Sequence, residues 1–164
     1  MPCFHDPAAF AFAAVLERRW EEILREYGGI RDALVPWHER KLYEQGWQVF
    51  AIFNFPLGEA VDDHAERCPV TAEIVREHIP RHGAAGFSVL APGTRIHPHQ
   101  GYQGEFLRCH LGLVVPDGDC ALKIESEARP WRAGKVMIFD DRYQHEAWNL
   151  TDKERIVLLI DFVP

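Results

Sequence analysis

Along the second half of the chain, apolar residues recur at every other position in short runs that Gly, Pro and Asp punctuate. These runs predict seven strands: Phe87 to Ala91, Thr94 to Pro98, Glu105 to Val115, Ala121 to Glu127, Lys135 to Asp140, His145 to Asn149 and Arg155 to Val163. Turns fall between them at Pro92-Gly93, Pro116-Asp117-Gly118, Arg129-Pro130 and Ala133-Gly134. The first half follows another period. From about Ala8 to Tyr27, Phe10, Ala14, Trp20, Leu24 and Tyr27 recur near helical spacing and Gly28-Gly29 ends the run, while Thr71 to Ile79 predicts a shorter helix closed by Pro80 and Gly83. Between the helices lie a loop from Ile30 to Gly46, a weakly alternating strand from Trp47 to Phe55, and an acidic loop at Asp62-Asp63-His64, read as a solvated surface cluster. Two helices followed by closely spaced strands imply a mainly β chain with flanking helices (α+β), a jelly-roll barrel with the helices on one side. With no repeat or linker, the reading is one domain over 1–164, with helical support at about 8–80 and a barrel core at about 84–164.

The chemistry shows in which residues share a strand face. In the run from Glu105 to Val115, Phe106, Arg108, His110, Gly112 and Val114 share one side, and Leu107, Cys109, Leu111, Leu113 and Val115 the other. A strand covered on both sides normally carries Val or Ile on each. A cation and an imidazole two residues apart therefore imply an anion on that side. In the last strand Arg155, Val157, Leu159 and Asp161 share a face. A guanidinium pointed into a barrel needs an anion, and its planar fork suits a carboxylate. A ligand carboxylate meets that need, and so does an internal salt bridge to Asp161, Asp140 or Asp141.

Histidines flank this face. His97-Pro98-His99 ends the preceding strand, so that His97 or His99 comes near Arg108 and His110, and His145 opens a later strand beside Glu146 and Trp148. Neutral imidazole is the commonest protein ligand for a catalytic transition metal. The usual facial triad adds a carboxylate two residues after the first His, where this chain has Gly101. Asp140 and Asp141 suit a turn and the outer orientation of His145 better than direct ligation. Trp131 and Trp148 read as packing residues.

Composition changes this picture only by exclusion. Charged residues at 26% and hydrophobics at 47% are ordinary for a globular protein, and 164 residues suffice to bury a core without a partner. A net charge of -7 with no Lys/Arg cluster argues against nucleic acid. Cys3, Cys68, Cys109 and Cys120 are scattered without a CxxC pair, which argues against a zinc knuckle. The N-terminal apolar run lacks a basic leader and the length to span a bilayer. The expectation is a cytoplasmic protein with reduced thiols and no membrane partner.

One run joins these residues: Ser88, Pro92-Gly93-Thr94, Pro98-His99-x-Gly101, Leu107-Arg108-x-His110-Leu111-Gly112-Leu113, Trp131, Gly134-Lys135, Phe139-Asp140-Asp141, His145-Glu146-x-Trp148 and Arg155. From roughly Trp20 to the end, the chain resembles the aspartyl/asparaginyl β-hydroxylase family of Fe(II)- and 2-oxoglutarate-dependent dioxygenases. The resemblance implies a double-stranded β-helix, a cupin-like jelly roll, in which His99 and His145 bind iron and O2 is a co-reactant. It also implies that Arg155 and Ser88 hold the distal carboxylate of 2-oxoglutarate, and that Arg108 and His110 approach the carboxylate next to its keto group. A glycine at the carboxylate position is itself a mark of this family. The implied substrate is a small molecule or peptide carrying an aspartyl or asparaginyl β-carbon, or a related free or carrier-bound amino acid. Gly104 and Phe106 depart from the family pattern, near where substrate would enter. The alternative is a cupin-type metal protein or isomerase without 2-oxoglutarate, with His97, His99, Glu105 and His145 as ligands; it leaves the arginines unexplained.

Overall fold

The computed structural model describes residues 2–164, folded as two antiparallel sheets with helices on one outer face. The helices are α1 (Ala11–Arg18), α2 (Trp20–Gly28), α3 (His64–Arg67) and α4 (Pro69–His78). The strands are β1 (Phe4–His5), β2 (Val35–Pro36), β3 (Trp47–Phe53), β4 (His82–Leu90), β5 (Thr94–His99), β6 (Leu107–Val114), β7 (Cys120–Ile124), β8 (Glu127–Arg129), β9 (Val136–Phe139), β10 (His145–Asn149) and β11 (Arg155–Phe162). The larger sheet runs β1-β9-β6-β11-β4-β3-β2 and the smaller β5-β10-β7-β8. This is the expected mainly β jelly roll with flanking helices.

Alternation along the strands builds two separate cores. The outer faces of β4, β6 and β11 send Phe87, Val89, Leu107, Cys109, Leu111, Leu158 and Ile160 against Phe12 and Leu16 of α1, Ile23 and Tyr27 of α2, and Ile74 and Val75 of α4. The inner faces meet across the barrel through Trp47, Leu90, Ile96, Leu122, Ile124, Phe139 and Val157. Both faces of β11 are covered, and all eight of its residues are buried. Asn149, fully buried at the end of β10, is satisfied by donating to the Leu90 and Lys153 carbonyls, which ties the smaller sheet to β4.

Several elements differ from expectation. The helix read from Ala8 to Tyr27 is two helices, divided by the single non-helical residue Arg19 (φ -111, ψ 14), whose side chain folds onto Glu22 at 2.7 Å. The bend lets α1 pack on β9 and α2 on β6, following the twist of one sheet. The strand expected from Ala121 to Glu127 ends at Ile124, and Glu125, at φ 52, turns the chain back into β8. No Gly or Asn signals that turn. The strand at 47–53 pairs with β4, so the larger sheet begins well before residue 84, and the expected loop from Ile30 to Gly46 contributes its edge strand β2. His64 is half-buried rather than solvated: it stacks on Phe50 at 4.1 Å and its Nδ1 bonds the Ala51 carbonyl.

Candidate metal centre and anion recess

β5 and β10 run antiparallel with His99 opposite His145, and the two rings meet with centroids 4.3 Å apart. Each Nδ1 donates to a carbonyl two residues upstream, His99 to His97 at 2.7 Å and His145 to Tyr143 at 2.9 Å. A carbonyl only accepts, so both rings carry their proton on Nδ1 and keep the Nε2 lone pair free. Burial, against the opposing pull of the Tyr143 carbonyl, pushes His145 down to about 4. The ring is therefore neutral near pH 7, the form that binds a metal. The bond expected from Asp140 or Asp141 to His145 is made instead by the Tyr143 carbonyl, while Asp140 closes a turn with Arg142 at 2.6 Å.

Asp141 has a different setting. The Gly101 N–H donates to the Asp141 carbonyl at 2.7 Å, and a Cβ on Gly101 would collide with Asp141 Oδ2 and come within 2.9 Å of its backbone oxygen. Glycine at 101 is thus required by the close approach of this carboxylate, and no side chain fits there with Asp141 in place. The position of the usual third ligand is closed sterically as well as chemically.

On the inner faces of β4, β6 and β11, four donor side chains, Ser88, Arg108, His110 and Arg155, line one narrow recess with His99 and His145. Trp131 Nε1 donates to His110 Nδ1 at 3.0 Å, which leaves the proton of this neutral ring on Nε2, a buried atom without a partner. Burial first, then the Arg155 and Arg108 charges, hold His110 well below its ordinary value. Arg155 is 1% exposed and has no carboxylate beside it. Its Nη2 donates to the Ser88 carbonyl and Oγ at 3.1 and 3.2 Å, its plane lies over Trp131 at 4.5 Å, and its Nε is unpartnered. Burial pushes it down to about 9. Ser88 Oγ also accepts from Trp47 Nε1 at 3.0 Å, so both lone pairs are engaged and its O–H is free to donate. Trp131, read from the sequence as a packing residue, and Trp47, which the sequence pattern did not single out, are the indoles that fix the donor geometry of His110 and Ser88.

Arg108 is placed differently from its neighbour. Asp161 lies opposite it across the β6–β11 ladder and takes Nε at 2.7 Å and Nη2 at 3.0 Å, with Asp141 at 3.6 Å. Burial works against the charge of Arg108, but the two carboxylates outweigh it and hold the guanidinium above the usual arginine range. The internal salt bridge considered for Arg155 therefore belongs to Arg108. This leaves Nη1 as the Arg108 donor outside these pairs. His97 is exposed, and Glu105 lies on the surface paired with Arg81 at 3.3 Å, so the four-ligand cupin set is not assembled. Among the described residues no group of three or more His, Cys, Asp and Glu is arranged to hold a metal; two imidazoles are what the fold brings together.

Fold and site together define a jelly-roll protein in which two imidazoles face each other beside a buried guanidinium. A Pseudomonas putida prolyl-4-hydroxylase shares the fold, with a TM-score of 0.58 at 16% identity over 93% of this chain and 98% of that one. The chain belongs to the aspartyl/asparaginyl beta-hydroxylase family, whose profile matches residues 17–164. It is 34% identical to the Rhizobium tropici ornithine lipid ester-linked acyl 2-hydroxylase over 99% of its own length and 60% of that protein's. It is 32% identical to the human aspartyl/asparaginyl beta-hydroxylase over 89% of its own length and 20% of the human protein's. The chain thus spans about three fifths of the bacterial relative and one fifth of the human one.

Proposed function

We propose that this chain is an Fe(II)- and 2-oxoglutarate-dependent dioxygenase that hydroxylates an unactivated carbon. The observation that carries the reading is Arg155, buried beside Ser88 without a counter-charge and sharing a recess with His110 Nε2–H and the facing rings of His99 and His145. A buried guanidinium without an anion is costly, and a carboxylate that accepts from Arg155 Nε and the Ser88 hydroxyl removes the cost. His99 and His145 offer Nε2 to the metal. His110 would donate from Nε2 to such a cosubstrate, and Trp131 keeps it in that tautomer. Arg108, already held by Asp161, would contribute its remaining donor from a position that lines both the recess and the neighbouring cavity.

When bound, ferrous iron with 2-oxoglutarate and dioxygen supplies the oxidising power, and 2-oxoglutarate leaves as succinate and carbon dioxide. The protein's part is to orient both and exclude water from them. The family name carries the β-carbon of an aspartyl or asparaginyl residue, and the R. tropici relative's name an acyl chain. Both are unactivated C–H positions that this chemistry reaches.

The test is anaerobic addition of Fe(II) and 2-oxoglutarate to the purified chain. A weak visible charge-transfer band is expected, and it is expected to vanish in His145→Ala. Metal binding without the band would favour the cupin reading.

A further inference from the structure

Beside His99 opens a second, larger cavity of about 620 Å³, within the range of clefts that bury a drug-sized ligand. It meets the anion recess at Ser88, Trp47, His99, Arg108 and Leu159, which line both. In the oxygenase reading, this is where the carbon to be hydroxylated lies. Its walls are chiefly apolar: Trp37 and Trp47 stack in parallel at 4.3 Å, and Leu42, Phe53 and Leu159 complete them.

The charges in this cavity are unsuited to an acidic substrate. Among the described residues lining it, Arg108 is the only Arg or Lys, and its fork is taken up by Asp161 with Asp141 alongside. Asp141, Asp161 and Glu39 also line it, so a substrate carboxylate would meet like charges and no free cation. At the mouth stands an aromatic group. Phe55 packs edge-on against Tyr102 at 5.1 Å and lies tilted against Phe106 at 4.9 Å, and the Phe106 ring closes on Gly83, where a Cβ would come within 2.9 Å of it. Tyr102 is 57% exposed and Leu57, on the same loop as Phe55, 78%. Large apolar side chains held at the surface around a cavity mark a binding site for apolar matter.

We propose that the segment of substrate entering this cavity is an uncharged aliphatic chain, and that Phe55 and Tyr102, with Phe106 packed behind them, select it at the mouth. This rests on the oxygenase reading for the chemistry. One C–H bond of the chain becomes C–O–H with one atom of dioxygen, and the other atom goes to succinate as 2-oxoglutarate loses carbon dioxide. The selection itself is a matter of binding and is testable without turnover.

The full chain is titrated, with and without Fe(II) and 2-oxoglutarate, with three probes: 1-decanol, N-acetyl-leucine amide and N-acetyl-aspartate amide. Fluorescence of the Trp37/Trp47 pair reports binding, with Trp37→Phe as the control for signal origin. One or both of the first two are expected to bind at least about 10-fold tighter than the aspartyl probe. Decanol preference identifies a lipid-like chain, and leucine preference an amino-acid side chain. Tyr102→Ala, at an exposed position that leaves the fold intact, is expected to weaken the favoured probe about 10-fold. Phe106→Arg, which adds a free cation, is expected to shift preference toward the aspartyl probe. Equal or tighter binding of the aspartyl probe by the unmodified chain, or binding of none of the three, overturns the proposal. The charge-transfer band separates the two readings: a band with aspartyl preference sinks the substrate inference alone, and decanol or leucine binding without a band sinks the oxygenase reading alone.

Discussion

The two faces of β11 are a contrast in what a buried surface is for. Ile156, Leu158, Ile160 and Phe162 pack outward against the helix layer. Arg155 and Asp161 point inward with Val157 and Leu159, toward a barrel that also buries His110, His145 and Ser88. The outer face gains from every methylene it removes from water. The inner face gives up part of that gain to hold donors that the protein itself does not satisfy. Stability and the proposed ligand binding therefore sit on opposite sides of the same strand, and substitutions should separate them.

The largest effect on stability belongs to the outer face. Phe162→Ala removes a ring that meets Phe10 and Phe12 edge-on at 5.3 and 4.9 Å, and is expected to cost about 4 kcal/mol in denaturant unfolding. Cosubstrate affinity of the molecules that remain folded is expected to be unchanged. An inner-face signature comes next. The folded chain keeps His145 neutral down to about 4, whereas in the unfolded chain it protonates near 6.5. The unfolded state therefore binds more protons between these values, and the metal-free protein loses stability as pH falls through that window. The expected loss from His145 is about 3 kcal/mol, with His110 adding in the same direction, read as a falling Tm from pH 7 to pH 4.

Arg155→Met sharpens the contrast most directly. Removing a buried, unpaired cation in favour of a similar apolar shape is expected to leave Tm unchanged or higher. The same change is expected to weaken 2-oxoglutarate by about 2 kcal/mol or more, roughly 30-fold, with Fe(II) affinity little altered. Equal cosubstrate affinity in the variant would remove Arg155 from the site. The smallest effect is expected at Gly101→Ala, where the new Cβ must displace Asp141 from Arg108. A loss of about 1 to 2 kcal/mol in stability is expected there, partly restored by Asp141→Ala in the double variant.

Much of the site was legible in residue types. Arg108 and His110 on one strand face and Arg155 on another follow from a period of two, which is local and needs no tertiary knowledge, whereas the choice of His99 over His97 and the singling out of Ser88 rested on the family resemblance. The turn at Glu125 and the break at Arg19 were not legible, because neither residue is a turn former; packing of the flanking segments selects those conformations.

What the sequence determined by itself was the fold class, the faces, and the inventory of cations and imidazoles inside the barrel. The tertiary structure decided the pairing. Asp161 lies on the same strand face as Arg155 but across the ladder from Arg108, and it bonds the latter. Arg155 is thereby left without a carboxylate, His99 is set against His145, and Asp141 is pressed onto Gly101. Each of these outcomes depends on register and approach between segments distant in sequence, and charged groups bond only what lies within about 3 to 4 Å. Local pattern carries no information at that range.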